Sequence, residues 1–210
     1  KTKITIESAT NSWTYDSNLH KDETYTVKYG ETTVTADETG KVFALSNGDV
    51  ITITATAAGV TNVSDNANEN NTYTYTVTRG TVDTSGNYES IEATTGTLTI
   101  NPKTVTITAA THDWAYDGEA HKDGSFKATA LEADDDHTFT VVMTANSVIT
   151  DVGTQPNVIA TVDGVAVTTG TATAVGNYTV TTVDGELEIT QGKTKITIES
   201  ATNSWTYDSN

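Results

Sequence analysis

Residues 1–18, KTKITIESATNSWTYDSN, recur letter for letter as residues 193–210. So long an identity does not arise by chance, and any fold this chain adopts must tolerate its own duplication. A diverged third copy lies between them, VTITAATHDWAYDGEAHKD at 105–123 against ITIESATNSWTYDSNLHKD at 4–22. Trp13, Tyr15, Asp16, His20, Lys21 and Asp22 there correspond to Trp114, Tyr116, Asp117, His121, Lys122 and Asp123. Closing segments match as well: GNYESIEATTGTLTI at 86–100 and GNYTVTTVDGELEI at 176–189, with TNVSD at 61–65 and TDVGT at 150–154 midway. The expected organisation is therefore two unlike units, 1–101 and 102–191, followed at 192–210 by the opening strand of a further copy of the first.

Within each unit the apolar period is two. Tyr73, Tyr75 and Val77 alternate with Thr72, Thr74 and Thr76, and the same alternation runs through ITITAT at 51–56, YTVKY at 25–29, FTVVM at 139–143 and GTLTI at 96–100. Threonine fills 47 positions, and long helix-favouring stretches are missing. The fold class is all-β. Turn signals such as YDG, SNGD, VDG and SGN separate short strands that bury one face, which predicts tandem Ig-like antiparallel β-sandwich modules. The joints, NPK at 101–103 and TQGK at 190–193, are too short for a flexible tether, so the modules should lie end to end.

A formal charge of −17 repels phosphates and anionic headgroups, which argues against nucleic-acid or membrane-surface partners. No apolar run approaches the ~18 residues of a membrane span. Without cysteine there is neither a disulfide framework nor thiol chemistry. Trp13 with Tyr15, and Trp114 with Tyr116, share a strand face; they either plug one end of a sandwich or stack on sugars. His20 beside Asp22 and His121 beside Asp123 are read as surface charge pairs, because no nucleophile elbow accompanies them. Two loops are rich in oxygen ligands, EADDDH with Asp134, Asp135 and Asp136, and SDNANENN with Asp65 and Asn66. Either could hold calcium, whose sites use clustered Asp, Asn and backbone carbonyls, although neither follows the helix–loop–helix calcium pattern; solvated loops are the default reading. Phosphate loops, paired catalytic carboxylates and dinucleotide fingerprints are missing, so no catalytic, cofactor-binding or metal residue is assigned and no cofactor is expected.

The opening VTITAATHDWAYDG, the central TDVGT and the closing GNYTVTTVDGELEIT resemble the bacterial surface repeats called YDG-type or MBG-type Ig-like domains. Residues 105–190 carry the pattern most fully. In residues 4–100, Ser17 replaces the glycine of YDG and Ser64 the glycine of DVG. The resemblance implies a structural segment of a long extracellular surface protein or filament, an adhesin-type stalk whose partners are neighbouring repeats of the same array. Related surface sandwiches also form Lys–Asn or Thr–Gln cross-links; Lys3, Lys103, Asn101 and Gln191 lie near the unit ends, with no motif selecting them. The alternatives are modules that themselves bind glycans or host proteins, or strand-sharing subunits of a fibre. For residues 193–210 the choice is between covalent continuation into further repeats and completion of another subunit.

Overall fold

The computed structural model describes residues 1–129, 131 and 135–209. It is all-β. In the first half the strands are β1 (Ile4–Ser8), β2 (Asn11–Thr14), β3 (Tyr25–Tyr29), β4 (Thr32–Val34), β5 (Val42–Ala44), β6 (Val50–Ala55), β7 (Tyr73–Arg79), β8 (Val82–Asp83), β9 (Ile91–Thr94) and β10 (Leu98–Asn101). The second half contains β11 (Lys103–Ala109), β12 (His112–Ala115), β13 (Phe126–Ala128), β14 (Val141–Met143), β15 (Gly153–Asn157), β16 (Ile159–Val162), β17 (Val165–Ala166), β18 (Thr173–Val175), β19 (Tyr178–Val183) and β20 (Gly185–Thr190).

The first half holds sheets ordered β4-β3-β1-β9, β10-β2 and β5-β6-β7-β8; the second holds β13-β11-β19-β18, β12-β20-β15 and β14-β16-β17. Among the described residues, every ladder stays on one side of Pro102. Alternation places one face of each strand inside. Ile4, Ile6, Val27, Phe43, Ile51, Ile53 and Val77 form the first core, and Val105, Ile107, Ile159, Val162, Val175 and Val180 the second. Burying a side chain of this size contributes roughly 1.5–3 kcal/mol.

The opening and closing segments share a device that the alternation did not reveal. Each breaks midway and pairs with the other in parallel. β1 runs beside β9 with Ile4 opposite Ile91, and after the break β2 runs beside β10 with Asn101 opposite Thr14. β11 with β19, and β12 with β20, repeat the arrangement. Where the broken segments cross, a glycine is required: a Cβ on Gly96 would lie 2.1 Å from the Ala9 carbonyl oxygen, and one on Gly185 2.0 Å from that of Ala110.

A buried asparagine holds each crossing. Asn71 Nδ2 donates to the carbonyls of Ala9 and Asp22, both at 2.9 Å. Asn157, 0% exposed, donates likewise to Ala110 at 3.0 Å and Asp123 at 2.9 Å. Each amide thereby ties the break between the opening strands to the segment that follows the Trp corner, with hydrogen bonds worth roughly 0.5–1.5 kcal/mol apiece.

Residues 193–209 contain no strand, and their apolar side chains lie open, Ile198 at 90% exposure. The reason is geometric. β1 forms its strand between β3 and β9, and neither of these partners has a second copy within the 210 residues to receive Lys195–Ser200.

Candidate functional site

Three places concentrate the side chains that carry chemistry: the Trp corner of each half, the acidic loops, and the contact between the halves.

At each Trp corner the chain leaves β2 or β12, turns at the YD pair, and folds back. Asp16 Oδ1 accepts the Asn18 N–H at 2.9 Å, and Asp117 Oδ1 that of Glu119 at 2.9 Å. The turn places the next residue in the left-handed region, Ser17 at φ 68° and Gly118 at φ 85°. It also delivers the histidine onto the tryptophan. His20 stacks on Trp13 at 4.8 Å, and Trp114 rests against both His121 at 4.8 Å and His112 at 4.2 Å.

The histidines' carboxylate partners differ from those the sequence suggested. His20 Nε2 meets Asp16 Oδ1 at 2.8 Å, and His121 Nε2 meets Asp117 Oδ1 at 3.0 Å. Asp22 and Asp123 face the other way. Asp22 receives Asn11 Nδ2 at 3.1 Å and the Thr24 N–H at 3.0 Å. Asp123 lies 2.9 Å from His112 Nδ1 and takes the Ser125 N–H and hydroxyl. Asp16 is held below the usual carboxylate range first by the Asn18 N–H, then by His20. Asp123 is pulled down to about 2, chiefly by Ser125 and then by His112. Each of these carboxylates is thus occupied by turn amides, hydroxyls or an imidazole of its own corner.

Trp13 and Trp114 are half-buried. Trp13 packs against Val60, Leu98 and Ile100; Trp114 packs against Ile149, Leu187 and Ile189. With an imidazole already lying on each indole, little ring face is left for a sugar.

In the SDNANENN loop, Val63–Asp65 forms one 3-10 turn. Asp65 Oδ2 accepts the N–H groups of Thr61 at 2.9 Å and Asn62 at 2.8 Å, which hold its carboxyl low. Asn66 forms a two-way bridge to β10: its Nδ2 donates to the Ile100 carbonyl at 2.9 Å, and its Oδ1 accepts the Ile100 N–H at 2.7 Å. Asn70 does the same with Leu98 at 2.8 and 2.6 Å. Of the oxygens that suggested calcium here, that of Asn66 serves the closing strand and those of Asp65 serve the turn before it. In the other loop Asp134 lies outside the described residues. Asp135 accepts the Tyr178 hydroxyl at 2.5 Å and the His137 N–H at 3.1 Å, and burial together with that carboxylate pushes the Tyr178 phenol up. Among the described residues no three His, Cys, Asp or Glu side chains converge as metal ligands. Of the residues noted for cross-linking, Lys3 pairs with Glu92 at 2.7 Å.

The halves meet through a small contact that sequence reasoning did not single out. Tyr15 stands edge-on to Tyr178 at 5.5 Å and packs against the second core. Asn177 Oδ1 accepts the Val63 N–H at 2.9 Å, while its Nδ2 donates to Asn62 Oδ1 at 2.9 Å. The linker is held at both ends: the Tyr15 N–H donates to the Asn101 carbonyl at 2.8 Å, and the Lys103 N–H to that of Asn177 at 3.0 Å. The available signal was the match of GNY at 86–88 with 176–178 and of TNV at 61–63 with TDV at 150–152.

Comparison with protein-family models, curated proteins and solved structures finds no match to this chain.

Proposed function

We propose that the chain is a load-bearing spacer: a segment of a tandem array of Ig-like β-sandwich modules in an extracellular, cell-surface stalk or filament of the bacterial adhesin type. The observation that carries this reading is the parallel pairing of first and last strands. The chain enters the first half where Ile4 faces Ile91 and leaves where Asn101 faces Thr14, so entry and exit lie at opposite ends of the paired strands. The second half repeats this, from Lys103 opposite Tyr178 to Ala115 opposite Thr190. Tension between the ends then loads the ladders in shear, and many hydrogen bonds resist together. The Tyr15–Tyr178 and Asn62–Asn177 contacts stiffen the joint between neighbours. The histidines and aspartates of the Trp corners brace the turns at which each half folds back, which supports a holding role.

Small-angle scattering of chains carrying one, two and three copies of residues 1–192 tests the reading. A maximum dimension growing nearly linearly with copy number is expected. A compact particle whose size lags behind copy number would overturn it.

A further inference from the structure

The contact between the halves has an unused counterpart. Tyr15, Asn62 and Val63, which the second half covers, correspond to Tyr116, Asp151 and Val152. The correspondence is structural as well: the His20–Val60 bridge matches His121–Ile149, and Tyr15 N–H to Asn101 matches Tyr116 N–H to Thr190 at 2.9 Å. Yet Tyr116 is 48% exposed and Val152 51%. The Val152 N–H, whose counterpart donates to Asn177, takes no acceptor among the described residues.

The surface that would cover them belongs to the first half. In sequence, Asn177 and Tyr178 match Asn87 and Tyr88 of the shared GNY triplet; in the fold the triplet closes the β18–β19 hairpin in the second half and follows a 3-10 turn, Ser85–Asn87, in the first. Both tyrosines are fixed through the phenol to an aspartate, Tyr178 to Asp135 and Tyr88 to Asp49, each at 2.5 Å. Asn87 is exposed, and Lys1 Nζ donates to the neighbouring Gly86 carbonyl at 2.9 Å. Lys1 is the residue that Lys193 repeats, just past the end of β20.

From these correspondences we infer that the Tyr116–Asp151–Val152 face is the seat for the Gly86–Asn87–Tyr88 corner of a second copy of the first half. The inference rests on the array reading proposed above and gives its second joint a defined geometry. Asn87 of the copy accepts the Val152 N–H and donates to Asp151, where a carboxylate replaces the amide oxygen of Asn62 and makes the better acceptor. Tyr116 packs on the corner as Tyr15 packs on Tyr178. The connection from Thr190 to Ile196 is two residues longer than that from Asn101 to Val105. Those residues add reach of up to about 7 Å, so the chain spans the same docking without strain.

The test uses the 210-residue chain extended by a second copy of residues 19–101, which completes the copy begun at Lys193. Amide exchange of Val152 should slow at least tenfold relative to the 210-residue chain. Since the sequence has no cysteine, a disulfide is also diagnostic. Asp151→Cys combined with cysteine at the added copy's counterpart of Asn87 should oxidise as readily as the control pair Asn62→Cys with Asn177→Cys. If the control closes, the test pair stays reduced and Val152 exchange is unchanged, the docking is overturned. Should the substituted protein not fold, Val152 exchange in the unsubstituted extended chain decides alone. Scattering separates the two claims. A long particle without protection at Val152 rejects this joint and leaves the spacer reading standing, whereas failure of length to grow with copies rejects the spacer reading itself.

Discussion

The closing strand of each half needs a partner on its outer side, and the two halves provide it differently. In the second half a true strand lies there: β15 pairs with β20, with Gly153 opposite Ile189, Gln155 opposite Leu187 and Asn157 opposite Gly185. In the first half β10 has no such strand. Asn66 and Asn70 stand in for it, their side-chain amides presenting to Ile100 and Leu98 the donor–acceptor pair that a peptide group would present. The same need, satisfying edge N–H and C=O groups, is met once by backbone and once by side chains. What the halves keep in common is the crossing of broken strands at Gly96 and Gly185, with its buried asparagine. What they vary is the edge.

The largest expected effect falls on the shared part. Gly96→Ala and Gly185→Ala each force a methyl group into a backbone carbonyl that has no flexible end to move aside. Each should cost roughly 3 kcal/mol or more, measured by denaturant unfolding. Similar losses in both halves would confirm that the crossing is common ground. A tolerated alanine at either position would mean that the crossing can relax and is no constraint.

The next effect should separate the halves. Asn66→Ala with Asn70→Ala removes four hydrogen bonds to β10, and the pair should destabilise the first half by roughly 2–3 kcal/mol. Thr154→Ala, on the strand that does this job in the second half, keeps the backbone ladder and should change stability by less than about 0.5 kcal/mol. Amide exchange at Leu98 and Ile100 supplies the local measure: it should rise in the double variant, while Leu187 and Ile189 remain protected. Equal responses would erase the distinction between the two edges.

How much of this was legible follows from the range of each interaction. Period-two alternation located β3, β6 and β7 because it depends only on which side chains face inward. The matched openings and closings found the corresponding ends of the halves. Parallel pairing of β1 with β9 was not legible, since nothing local distinguishes it from antiparallel pairing. The oxygen-rich 64–71 loop looked solvated or cation-binding because its partners, Leu98 and Ile100, are about thirty residues away. His20 and His121 were assigned to the aspartate two residues on, whereas the tight YD turn brings the aspartate four residues back into reach. Asn71 and Asn157 each precede an alternating strand, NTYTYTV and NVIATV, and that shared position was the available signal.

Acid should sharpen the comparison at the Trp corners. Asp22 and Asp123 are counterparts, one bonded by Asn11, the other beside His112. Burial acts to raise Asp22, but Thr24 and Asn11 outweigh it and the carboxyl ends below its ordinary value. Asp123 goes further, to about 2 against an ordinary 3.8. A depressed carboxyl stabilises the fold fully above its unfolded value and loses that contribution as pH falls through the folded one. The second half should therefore lose on the order of 2 kcal/mol between about pH 4 and pH 2. Asp123→Asn should flatten this slope in a urea series, and an unchanged slope would rule the group out as its source.

The smallest effect has the opposite sign and tests why the halves differ at the turn itself. Ser17 and Gly118 occupy the same position after the YD pair, and both lie at positive φ. Glycine adopts that region without steric cost, whereas a residue with a Cβ is crowded there by roughly 1–2 kcal/mol. Ser17 recovers part of this through its hydroxyl, which donates to the Tyr15 phenolic oxygen at 3.2 Å. Tyr15 is the ring that docks on Tyr178, so the strained serine also steadies the joint. Ser17→Gly should raise the stability of the first half by about 0.5–1 kcal/mol, because relief of strain exceeds the loss of one long, half-buried hydrogen bond. Gly118→Ser should lower that of the second half by about 1 kcal/mol, since Tyr116 is uncovered and gives nothing back. If Ser17→Gly instead weakens protection around Tyr178, the serine serves the contact between the halves more than the turn.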